Sequence, residues 1–301
     1  MKDKLLNWSL LLLLAMIWGS SFILMKKGMY NDLGKPVFSS VQVGALRMLI
    51  AGSIMLPFGI RYLLKLKSIN DLLFLSIVGF CGNFFPAFLF TYAETGISSG
   101  LAGILNSCTP LFTIILGTLV FRMRFSMVQL AGVFIGSLGV FILLSNSLEG
   151  QTKATWLHPT AVVVATLFYA ISLNTIKHKL QHFRSIQITA SAFSTVWLPA
   201  LVVFLLSNTP RTITSHPDAY TSLVSICILS IIGTAAAVFV FNILISKSTA
   251  VFASSVTYLI PVVAIIIGTF FNEHFHWTQP LALLVILVGI FWANRPAKDQ
   301  K

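Results

Sequence analysis

Uncharged hydrogen-bonding side chains stand in the middle of long apolar runs: Trp18, Asn83, Asn106, Tyr169, Thr234, Asn242 and Tyr258. An amide or hydroxyl without a partner in an apolar medium costs about 2–7 kcal/mol. These groups must therefore face one another, water or a bound molecule. Taken singly, each is explained as well by interhelical hydrogen bonding, worth about 0.6 kcal/mol on average in a membrane. Taken as a set, they point to a polar cavity that could bind a small molecule.

Two prolines stand beside them. Pro110 follows Asn106, Ser107 and Thr109, and Pro261 follows Thr257 and Tyr258. A helical proline has no N–H and leaves the carbonyl four residues back without a donor, here that of Asn106 and of Thr257. Such places suit conformational hinges lining a pathway; kinks used only for packing are the plainer alternative. Arg47 is the one cation inside an apolar run. An intramembrane charge marks a functional site by default, although its long stem can also snorkel outward. Glu94, in TYAETG, is the one carboxylate at the edge of a run. It is either a proton-coupling group, making pair candidates of Arg47 and Glu94, or an exposed helix-end acid.

No catalytic constellation is present. The apolar runs hold no Ser/His/Asp set, no H-E-x-x-H and no phosphate loop, so the chain does not read as an enzyme. Cys81, Cys108 and Cys227 are scattered within apolar runs and read as packing residues. His274-x-His276 lacks a third ligand, too little for a metal site. No metal and no cofactor is expected.

The elements that carry these residues are membrane spans. Of 301 residues, 56% are hydrophobic and 9% charged, and the mean hydropathy is +0.90. A soluble domain carries about 25% charged residues, so this composition belongs in a lipid bilayer. A spanning helix needs about 20 apolar residues. Ten such segments lie near 5–25, 38–58, 72–93, 97–119, 126–145, 157–176, 186–206, 220–244, 250–271 and 277–294. Their length, without period-two alternation, predicts an all-α integral membrane fold rather than a β-barrel. Lys2 and Lys4 precede the first segment as in a signal peptide. Its apolar stretch is too long for one and AMIWGSS gives no A-x-A site, so it reads as a retained span.

The formal net charge is +12, but its distribution is topological. Fourteen of the 20 Lys and Arg fall on the side of the N-terminus. Five (Lys26, Lys27, Lys35, Lys153 and Arg211) fall on the other, with Arg47 in between. That bias predicts both termini in the cytoplasm and removes any need for a nucleic-acid partner.

The sequence also matches itself at a shift near 150. Gly82 falls on Gly233, Phe88 and Phe90 on Phe239 and Phe241, Pro110 on Pro261, Gln129 on Gln279, Ala15 and Trp18 on Ala165 and Phe168, and Gln42 on Gln187. Five spans per half make the halves, 1–148 and 155–297, enter the membrane from opposite sides. Two inverted five-helix repeats around a midplane site are a transporter architecture. A non-transporting membrane partner or a lipid-moving subunit of a larger assembly is the alternative. The small residues of LAGVFIGSLG (130–139) mark close helix approach, with dimerisation as the lesser option; monomer and homodimer both stay open.

Several stretches resemble the drug/metabolite transporter superfamily, in particular its EamA-type ten-helix members. They are WGSSF (18–22), ALRMLIAG (45–52), GTAAAVFVFN (233–242), and the two parallel stretches beginning LGTLVF (116) and IGTFFNE (267). The family's Gly-Glu at the end of the fourth helix is Arg122-Met123 here, and the second half has Asn272-Glu273. The resemblance implies export or uptake of a small metabolite, such as an amino acid or related compound, across a bacterial inner membrane. It also implies a cavity lined by the first, third, fourth, sixth, eighth and ninth helices.

Overall fold

The computed structural model describes residues 2–123, 126–147, 156–270 and seven residues between 281 and 292. Nine of the described helical segments are labelled in chain order: α1 (Lys2–Met29), α2 (Ser40–Leu63), α3 (Ile69–Ala93), α4 (Ser99–Leu119), α5 (Met127–Ser147), α6 (Leu157–Lys179), α7 (Ser185–Leu206), α8 (Ala219–Lys247) and α9 (Ala250–Ser254 continuing as Val256–Phe270); a short helix, Thr209–Ser215, lies between α7 and α8. Seven described helices are long and apolar enough to cross a membrane, and 127–139 and 250–263 are shorter apolar helices. No strand occurs among the described residues. The expected tenth span falls mostly outside them, as do the boundary between the expected halves and Asn272-Glu273. Several observed helices overrun the expected spans because apolar length measures only the membrane core, whereas α4 and α9 stay within theirs. α2, for example, continues to Leu63, past Arg61.

Side-chain chemistry sets the helix starts. The Ser39 hydroxyl accepts from the Gln42 N–H, while Gln42 Oε1 accepts from the Ser39 N–H, a reciprocal cap. Gln187 Oε1 accepts from the Arg184 N–H at 2.8 Å, the same use of the residue that Gln42 falls on. Gln42 Nε2 also donates to the Ser207 carbonyl at 2.9 Å, tying the start of α2 to the end of α7. The Trp197 indole donates to Ser53 Oγ, and a Cβ on Gly59 would strike Ala190 and Ser194. Together these contacts fix α2 and α7 as a close antiparallel pair.

Packing elsewhere follows a repeated scheme. α1 lies against α8 and α9, and α6 lies against α3 and α4. Gly19 makes the α1–α9 approach possible: a Cβ there would lie 2.6 Å from Val263 Cβ. A Cβ on Gly136 of α5 would sit 3.0 Å from the Tyr258 ring, and Gly289 abuts the Gly136 backbone. The small-residue stretch at 130–139 is therefore used for packing within the chain.

The two ends of the bundle are chemically distinct. At one end Asn7 Nδ2 donates to the Lys247 carbonyl, Lys177 Nζ donates to the carbonyls of Ile245 and Ser248, and His182 pairs with Asp71 at 3.3 Å. At the other, Asn31 Nδ2 donates to Asp218 Oδ2 at 2.8 Å and His158 stacks on Tyr92.

Candidate functional site

The site is framed by a backbone feature. α3 and α8 each pass through a π-helical turn, at Phe80–Phe84 and Ile231–Ala236. Inside these turns Asn83 Nδ2 donates to the Val78 carbonyl at 3.4 Å, and Thr234 Oγ1 donates to the Leu229 carbonyl at 3.0 Å. Both bonds reach back five residues, so each polar side chain serves the carbonyl that the wider turn would leave short. The wider turn also re-aims the neighbouring side chains, and π turns often occur at functional sites.

The π turns border a cavity between α1, α2, α3, α4, α6, α7, α8 and α9. It holds about 1020 Å³ of open space, water at its mouth included. Trp18, Asn83, Asn106, Tyr169, Thr234 and Asn242 line it, and so does Arg47. Its wall is built from paired contacts. Trp18 packs edge-on to Phe241 with centroids 5.0 Å apart, and Tyr169 stacks on Phe90 at 5.9 Å. The Trp18 indole donates to the Gly233 carbonyl at 3.1 Å. A Cβ on Gly233 would lie 2.8 Å from Ser21 Oγ, and one on Gly82 would strike Ser172 Oγ.

Arg47 is the only charged residue among the described ones lining the cavity. Its relative exposure is 9%. Nε donates to Thr234 Oγ1 at 2.6 Å, and Nη1 reaches only the Met25 sulfur, at 4.0 Å. Among the described residues no carboxylate comes within ion-pair distance of it. Asn242 Nδ2 donates to Thr189 Oγ1 at 2.8 Å, linking α8 to α7.

Three expected residues lie elsewhere. Tyr258 is fully buried and does not line the cavity; its hydroxyl points to the Val133 carbonyl of α5 at 3.5 Å. The prolines are buried just behind the wall, and both carbonyls they leave without a helical donor are served by hydroxyls. Thr109 Oγ1 donates to the Asn106 carbonyl, and Ser107 Oγ of α4 donates across to the Thr257 carbonyl of α9, both at 2.8 Å. α4 is interrupted at Ser107 and Cys108, next to Pro110. α9 is interrupted at Ser255, whereas Pro261 sits within the continuous piece. Ser254, Ser255 and Thr257 all donate to carbonyls three residues back, which tightens the chain at that earlier point.

Glu94 departs from the exposed helix-end acid expected of it. It is 3% exposed, and Ser99 Oγ donates to its Oε2 at 3.2 Å, because the turn after α3 folds the start of α4 over it. Residues not anticipated also line the cavity, among them Ser172 and Ala192. Ser172 could have been found from Ser21, since the two occupy equivalent positions against Gly233 and Gly82.

The profile of the EamA-like transporter family matches residues 6–145 and again 159–295. The chain belongs to the EamA-like transporter family. It is 31% identical over 145 residues to a probable amino-acid metabolite efflux pump of Escherichia coli, a match covering 48% of this chain and 45% of that protein. It is 26% identical over 290 residues to Protein PagO of Salmonella typhimurium, covering 94% and 90%. A crystal structure of another protein superposes with TM-score 0.69 over 97% of this chain and 98% of that one, at 14% identity, and so shares the fold. This EamA-like chain is thus a membrane transporter by family, with apolar helices to match.

Proposed function

We propose that the protein is a secondary transporter that exports a small metabolite, an amino acid or related compound, by alternating access. Its ten helices form two inverted five-helix halves, 1–148 and 155–297, around the cavity. The observation that carries this reading is the cavity itself, walled by both halves with contacts that recur at a spacing of 151. Trp18 on Phe241 is repeated by Tyr169 on Phe90, and Ser21 at Gly233 by Ser172 at Gly82. A wall duplicated in this way can open to either side with equivalent contacts exchanged.

Trp18, Asn83, Asn106, Tyr169, Thr234 and Asn242 contact the substrate, with Tyr258 supporting the wall from behind. Pro110 and Pro261 belong to the proposed hinges, with α4 yielding beside Pro110 and α9 yielding at Ser255, ahead of Pro261. The basic end of the bundle faces the cytoplasm of a bacterial inner membrane, with both termini there. Glu94, the one buried acid among the described residues, is the group for proton coupling.

The export reading is tested by a resistance and efflux screen in cells expressing the protein, repeated with Asn106→Ala. A compound whose efflux depends on the protein and falls in the variant supports it. No such compound across amino acids and their derivatives would overturn it. A second reading, a lipid-moving subunit, draws on an apolar groove lined by Phe84, Phe85, Phe88 and Phe168; lipid redistribution without metabolite efflux would favour it.

A further inference from the structure

Resting on the transporter reading and narrowing it from zwitterionic amino acids to their anionic relatives, we infer that the cargo binds as a net monoanion: a carboxylate on an apolar body, held by Arg47. Snorkelling does not account for this side chain. Its Nε is drawn to Thr234, in the middle of α8, and the residue is nine-tenths buried. A structural arginine in this setting would have a carboxylate partner, because an uncompensated charge away from water is strongly unfavourable. Here the described lining offers no acid; the terminal guanidinium nitrogens make one long contact, to the Met25 sulfur, and the other polar group near them is the uncharged Tyr169 phenol.

The Nη edge of the guanidinium therefore has no ion-pair partner among the described residues, and it presents two parallel N–H donors in the geometry that suits a carboxylate. Beside it run Met25, then Phe22, Phe90 and Tyr169 in successive ring contact, an apolar seat for the rest of the molecule. Charge balance selects further. The described lining carries one positive charge, with no acid among its residues. A monoanion neutralises it, a zwitterion leaves it in place, and a cation doubles it. An ammonium group would also find no acid among the described lining residues.

The test uses the full chain in lipid nanodiscs and four probes with one phenylethyl body: 3-phenylpropanoate, 3-phenylpropanamide, 2-phenylethylammonium and phenylalanine. Dissociation constants come from calorimetry or equilibrium dialysis. The propanoate should bind at least about tenfold more tightly than each of the other three. Arg47→Gln should remove the preference of propanoate over propanamide while leaving propanamide affinity within about threefold, and Arg47→Lys should keep part of it. The lysine variant and the wild-type panel remain informative if Arg47→Gln fails to fold. Equal binding of propanamide, tighter binding of phenylalanine, a preference that survives Arg47→Gln, or no binding by any probe would each overturn the inference. Binding led by the neutral or zwitterionic probe would leave the transporter reading intact. The transporter reading itself falls only if the efflux screen is also empty.

Discussion

The hydroxyl of Ser107 is predicted to matter because Pro261 is a proline. In a continuous helix the Thr257 carbonyl would accept from the N–H at position 261. Proline has none, and Ser107 Oγ supplies the donor from α4 at 2.8 Å. Ser107→Ala then leaves a buried carbonyl without a partner, at a cost of about 1–3 kcal/mol. The average for interhelical bonds in membranes, about 0.6 kcal/mol, sets a floor. In a Pro261→Ala background, the substituted alanine offers its own N–H to the Thr257 carbonyl and the serine bond becomes redundant. Ser107→Ala should then cost little. The double-mutant cycle should therefore show a coupling of about 1 kcal/mol. Reversible unfolding of the four proteins in mixed detergent micelles measures it. Effects that add within about 0.3 kcal/mol would refute the reasoning, since they would mean that the hydroxyl does not serve that carbonyl.

Three further outcomes follow. Gly19→Ala should destabilise the protein by about 1–3 kcal/mol, seen as a lower unfolding midpoint, because its methyl would meet Val263 Cβ at 2.6 Å; an unchanged midpoint would mean that α1 and α9 are not so closely apposed. Reporter fusions after residues 150 and 301 should give periplasmic and cytoplasmic signals respectively, and two signals on one side would sink the inverted halves. In proteoliposomes loaded with a substrate found by the screen, Glu94→Gln should abolish the response of transport to an imposed pH gradient while exchange at equal pH continues; a retained response would remove Glu94 from coupling.

Much of this arrangement could be read in the sequence. Asn83, Asn106 and Thr234 stood out because a polar group in an apolar run has to be accounted for, and each lines the cavity. The carbonyls left without a helical donor were deducible from the prolines alone, and both have hydroxyl partners. Helix rotation was harder. In a membrane helix the lipid face and the packed face are both apolar, so hydropathy alone does not say which way Tyr258 turns, and it turns to α5. The π turns were hidden for another reason: an i−5 bond leaves no compositional mark, although Asn83 and Thr234 both make one. The break at Ser255 comes from several hydroxyls acting together rather than from a breaker residue. The burial of Glu94 depends on how a turn folds, which span-counting does not address.

The repeat and its exceptions divide the labour of the cavity. The wall contacts recur: aromatic on aromatic, serine on glycine, a π turn on each side. The charge does not recur. Gln42 falls on Gln187, and the same offset of 145 takes Arg47 to Ala192, which lines the same cavity without a polar group. In the proposed inverted halves, a duplicated wall makes the two access states close in energy, because closing one side re-forms what opening the other breaks. A duplicated arginine would defeat recognition, since two cations facing one small space would repel each other and bind two anions or none. On the proposed mechanism, a single Arg47 would fix one anchor point around which the halves rearrange. The bound anion can then be released to either side without exchanging its partner, provided that the Arg47–Thr234 contact, which joins α2 of one half to α8 of the other, can lengthen as they rock. Thr234→Val, which removes that tether and leaves the cation in place, should therefore weaken binding less than Arg47→Gln does. Equal losses of 3-phenylpropanoate affinity in the two variants would mean that the arginine acts only when held by Thr234, and the single-anchor argument would fail.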